Sequence, residues 1–128
     1  MSLIQELKDK ITALKELKNK RIYLEEEMED LDETIKEYEE KLERCRTVED
    51  DKKYKIIIKV VENKKAENTK QQDEISEEMK MLEDGIKRKA LQRIRHCKIN
   101  IVKYGREKVS RRIKYWEEVY YHIHIRDY

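Results

Sequence analysis

The chain has no proline and no phenylalanine, and its 128 residues include only two glycines and two cysteines. A Lys/Glu/Leu/Ile-rich sequence so poor in helix breakers matches long helices or coiled coil better than a compact mixed fold. Two thiols, Cys45 and Cys97, are too few for a disulfide framework, which sets the expectation of a soluble protein in a reducing, intracellular setting. No stretch approaches the ~20 apolar residues that span a bilayer. The opening residues Met1–Glu6 also lack the apolar run of a signal peptide. Catalytic parts are missing as well. There is no glycine-rich phosphate cradle and no local nucleophile–base motif. The abundant acid pairs fall on solvated helix faces, with no pocket to shift them. The expectation is no enzyme, no cofactor and no small-molecule substrate.

What the chain does have is charge, at 47% of residues against 38% apolar. So polar a composition also suits disorder, but its periodicity argues against that. With heptad position a at Leu7, the a residues are Leu7, Leu14, Arg21, Met28, Ile35 and Leu42. The d residues are Leu3, Lys10, Leu17, Leu24, Leu31, Tyr38 and Cys45. Only Lys10 and Arg21 interrupt the apolar seam, and both are long enough to snorkel. A coiled-coil helix is therefore predicted from Leu3 to Cys45, opened by a Ser2–Gln5 capping box. Its core is Leu3, Leu7, Leu14, Leu17, Leu24, Met28, Leu31, Ile35, Tyr38 and Leu42.

The flanking charges select the partner. A parallel homodimer would set Lys20 against Glu25 favourably, but Glu27 against Asp32 and Lys41 against Arg46 unfavourably. An antiparallel hairpin does better. Residues 25–43 hold 11 acids, whereas residues 52–65 hold six lysines against Glu62 alone. Thr47, followed by Glu49, Asp50 and Asp51, would cap the returning helix.

That return carries a heptad through Tyr54, Ile58, Val61, Lys65, Asn68, Gln72, Ile75, Met79, Leu82 and Ile86. The polar trio Lys65, Asn68 and Gln72 marks a weak middle, where a break near Asn68-Thr69 competes with a continuous helix. Residues 54–61 also alternate as a strand would, so helix and a minor β element compete there, with helix preferred.

At Gly85 the charge changes sign. Residues 1–86 carry 25 acids and 18 Lys/Arg; residues 87–114 carry 12 Lys/Arg and one acid, Glu107. The stripe Ile86, Ala90, Ile94, Cys97, Ile101 and Tyr104 predicts an amphipathic helix with a basic wet face, closed by Gly105. Val109, Ile113, Trp116 and Tyr120 predict another short helix. Residues 121–126 alternate like a second minor β element, although an isolated strand needs something to pair with. His122, His124, His96 and Cys97 make no metal-ligand pattern. Both cysteines lie on apolar stripes and are expected as buried free thiols.

The sequence therefore predicts an all-α protein. It is an elongated coiled-coil hairpin with a C-terminal helical extension, divided into an acidic coiled-coil region (1–84) and a basic, aromatic-rich arm (85–128). The expected function is structural: part of a larger particle or complex, a virion among the options, with protein partners and oligomerisation. Docking on an acidic partner would use Arg88, Arg93, Arg95, Lys98, Lys103, Arg106, Lys108, Arg111, Arg112, Tyr115 and Trp116. The alternative is a nucleic-acid-binding protein without sequence preference, dimerised by its coiled coil. Clustered cations neutralise phosphates and aromatics stack on bases.

Overall fold

Among the described residues four helices account for nearly all of the structure: α1 (Leu3–Arg44), α2 (Val48–Ile99), α3 (Ile101–Tyr104) and α4 (Arg106–His124). The computed structural model describes residues 3–128; the side chains of Leu3, Ile4 and Tyr104 fall outside that description. The Ser2 cap and the Leu3 core position therefore lie outside the described residues. Within them there is no strand. The chain divides into two compact units: a hairpin unit of residues 18–77, and a second unit joining residues 1–17 to 78–128.

In the hairpin unit α1 and α2 run antiparallel. The turn between them uses neither glycine nor proline. Cys45 N–H donates to Leu42 O (3.3 Å), and Thr47 Oγ1 accepts from Asp50 N–H (3.1 Å). Glu49, Asp50 and Asp51 then fill the first turn of α2, where the helix dipole favours negative charge. Tyr38 packs on Tyr54 with ring centroids 5.9 Å apart, and two heptads further along both helices Leu24 meets Asn68. One register thus holds throughout the hairpin. Lys41 lies over the Tyr38 ring (4.6 Å), and its hydrogen bond to Glu37 raises its pKa above the usual lysine value.

Two alternatives left open for this return helix are decided. The break at Asn68-Thr69 is absent, because α2 continues through it. Asn68 is 3% exposed and donates from Nδ2 to the Leu24 carbonyl (2.9 Å). Its Oδ1 accepts from Gln72 Nε2 (2.6 Å). Lys65 pairs with Asp32 on α1. A buried amide satisfied on both atoms costs little, and as a polar group in an apolar seam it specifies register. Residues 54–61 form the preferred helix, and the competing strand is not made. Tyr54, Ile58 and Val61 face the seam, while Ile56 and Val60, the alternating residues, stand 65% and 48% exposed.

In the second unit, segments of α1, α2 and α4 share one core. Leu7, Leu14 and Leu17 come from α1; Met79, Ile86, Ala90 and Cys97 from α2; Val109, Trp116 and Ile123 from α4. The α4 residues recur every seven positions, so one helix face enters the core. Leu7, Ile86 and Trp116 line the same small cavity of about 40 Å³. Gly85 lies inside α2 and does not end it. Gly105 does separate α3 from α4: its φ of +83° with ψ of 145° belongs to a region that side chains avoid.

The 121–126 alternation is likewise not a strand. Helix α4 runs to His124, Ile123 is its last core residue, and a turn follows. Asp127 N–H reaches His122 O (2.9 Å) and Arg126 N–H reaches Ile123 O (3.1 Å). This is a Schellman closure, and it holds Arg126 at φ +57°, where glycine is usual. Arg126 Nε donates to Glu83 Oε2 (3.1 Å). Glu83 is buried, and its Oε1 has no hydrogen-bond partner.

Candidate docking surface

The basic residues of the second unit lie outside its apolar core, most of them exposed. On α2, Arg88, Arg95 and Lys98 are exposed and Arg93 is half-buried. On α3 and α4, Lys103, Arg106, Lys108, Arg111 and Arg112 are exposed. Arg88, Arg95, Lys98, Arg106, Lys108 and Arg111 form no ion pair among the described residues. Arg93, Arg95 and His96 line an open cleft of about 360 Å³ together with Gln92 and Ile99. Lys87 is different. Its ammonium lies 3.1 Å from His124 Nδ1 and 5.7 Å from the Tyr120 ring centroid, so it ties α2 to α4. An ammonium can only donate, which makes Nδ1 the acceptor and puts the ring proton on Nε2.

The net charge separates by unit. The second unit holds 17 Lys/Arg and 10 Asp/Glu, a net of +7; the hairpin unit holds 14 and 19, a net of −5. A surface with this excess of one sign raises the local concentration of an oppositely charged partner and steers its approach.

The aromatic part of the predicted site does not assemble as the sequence suggested. Trp116 is 7% exposed and belongs to the core, so it offers no free face to a partner. Tyr115 remains partly exposed, edge-on to Trp116 at 5.1 Å. It lines a groove of about 310 Å³ with Ile11, Lys15, Val119 and Tyr128. Ile101, expected on the buried stripe, is exposed with its neighbours Ile99 and Val102. Sequence reasoning did not single out Ile99 or Val102. Their only signal was an apolar position falling off the Ile86–Cys97 stripe.

The coiled-coil residues also divide. Leu7, Leu14, Leu17 and Leu24 are buried, while Met28, Leu31, Ile35, Tyr38 and Leu42 are half-buried. Cys97 is buried and Cys45 half-buried, both as free thiols. Among the described residues no helix is long and apolar enough to cross a membrane. No family model, curated protein or solved structure matches the chain.

Proposed function

We propose that the protein is a non-enzymatic assembly component, which docks an acidic protein surface through the basic face of its second unit. The observation that supports this reading is the set of six exposed cations (Arg88, Arg95, Lys98, Arg106, Lys108 and Arg111) without ion-pair partners among the described residues. Cations concentrated on one unit gain from an acidic partner in encounter rate and in specificity. Burial of Trp116 weighs against single-stranded nucleic acid, which relies on free aromatic faces for stacking. Nucleic acid is therefore kept as an outcome of the test.

The test uses polyglutamate and a short single-stranded oligonucleotide as probes, with affinities measured at two salt concentrations. The variant R88Q/R95Q/R106Q/R111Q should keep its helical circular dichroism, since none of these side chains enters the core. At ~0.5 kcal/mol per exposed pair it should lose about 2 kcal/mol, or roughly 30-fold, in affinity for polyglutamate. Equal binding by wild type and variant would remove the docking role from this face. Should the oligonucleotide bind more tightly than polyglutamate at matched salt, the nucleic-acid alternative replaces the protein-docking one.

A further inference from the structure

Two helices cannot enclose an apolar seam, and the hairpin unit shows the shortfall. Its buried residues are Leu24, Val61 and Asn68, while Met28, Leu31, Ile35, Tyr38 and Leu42 of α1 stay half-buried. One side carries an open groove of about 430 Å³, lined by Asn19, Lys20, Tyr23, Leu24, Gln71 and Ile75. Gln71 continues toward the turn into Lys64, Val60 and Ile57, at the spacing that places all four on one helix stripe. Tyr23 and Val60 are exposed on that side and Ile57 is half-buried. The open flank is therefore a partly apolar strip, running from the groove toward the turn.

The charges beside the strip indicate what covers it. Residues 25–43 of α1 carry 11 acids and two lysines, and residues 52–65 of α2 carry six lysines and one acid. These stretches lie opposite each other within the hairpin, yet they neutralise one another incompletely. Lys65 reaches Asp32, but Lys52, Lys53, Lys59 and Lys64 form no ion pair among the described residues.

We propose that a second copy of this chain covers the strip, hairpin against hairpin, to form a four-helix bundle. With both turns at the same end and a two-fold axis along the helices, α1 of each copy lies beside α2 of the other. The acidic stretch of one then meets the lysine-rich stretch of its partner, and symmetry makes that contact twice. Antiparallel neighbours around a shared apolar seam are the ordinary geometry of such bundles. A second copy fits better than an unrelated protein because the chain itself carries both complementary stretches. The proposal rests on the hairpin unit alone and is independent of the basic docking face.

Sedimentation equilibrium on the full chain, across micromolar to millimolar concentration, tests it. Wild type should reach twice the 15.8 kDa chain mass. The variant Y23E/V60E changes two exposed residues, so its helical circular dichroism should persist while its mass falls two-fold. K53E/K64E should also be monomeric, and E27K/D30K likewise, since these positions share the helix stripes of Val60 and Tyr23. An equimolar mixture of the two should recover the dimer. Wild type that stays at 15.8 kDa throughout would overturn the proposal. So would a dimer unmoved by Y23E/V60E, which would have to use another face. The R88Q/R95Q/R106Q/R111Q chain should dimerise like wild type, so loss of polyglutamate binding and loss of self-association are separate results.

Discussion

Arg126 occupies a backbone conformation in which glycine would be unstrained, at φ +57°. Left-handed backbone costs a residue with a Cβ roughly 1–2 kcal/mol. The Schellman hydrogen bonds and the bond from Nε to buried Glu83 offset that strain. Removing the guanidinium leaves the Glu83 carboxylate buried with neither oxygen paired, a loss of about 2 kcal/mol. Arg126→Ala should therefore lower stability by about 2 kcal/mol, and Arg126→Gly by only about 1, because glycine also relieves the strain. Urea unfolding midpoints compare the two directly, and equal losses would mean that Arg126 carries no strain. Residues of this kind were the least legible part of the sequence. Asn68 reads as an interruption until the Leu24 carbonyl is seen to receive it. Trp116 reads as a surface aromatic among cations until its seven-residue spacing with Val109 and Ile123 is set in a core. Periodicity locates a side chain around its helix, but which arc of that helix is covered depends on partners distant in sequence.

At the scale of elements, the two glycines lie in helical surroundings and should respond to the same substitution in opposite directions. A Cβ at Gly85 meets no atom within 4 Å, and the residue has helical backbone within α2. Gly85→Ala should raise stability by about 0.5–1 kcal/mol, since alanine loses less backbone freedom in a helix. Gly105 has equal room, but its φ of +83° admits no L side chain comfortably, so Gly105→Ala should cost roughly 1–3 kcal/mol. Thermal unfolding should show one midpoint above wild type and the other below. A rise in both would mean that the α3–α4 junction relaxes without penalty. The helices themselves were legible, because the 3–4 spacing persists over α1, most of α2 and α4. The strand-like alternations at 54–61 and 121–126 were coincidences of composition. In each, the residues that also satisfy the helical stripe turn inward, as Ile58, Val61 and Ile123 do.

For the molecule as a whole, a formal charge of +2 conceals units of +7 and −5. The change of sign along the chain was readable in advance. The exposure of the cations was not, because a basic helix face is as easily covered by the chain's own acids as left open. Polyglutamate binding by the second unit and self-association of the hairpin should both weaken as salt rises, since exposed charges beyond a Debye length of about 8 Å at physiological ionic strength are largely screened.

The Thr47 cap also bears on time. Tyr38 and Tyr54 meet across a short loop, whereas the Asn68–Leu24 bond joins residues 44 apart. Closing the shorter loop loses less chain entropy, so pairing should start at the turn and advance away from it. A cap that starts α2 is then in place before most of the core exists. Thr47→Ala, at about 1 kcal/mol, should slow folding roughly five-fold and leave the unfolding rate nearly unchanged in stopped-flow measurements. Acceleration of unfolding instead would place the nucleus elsewhere, and the turn would be the last part of the hairpin to close.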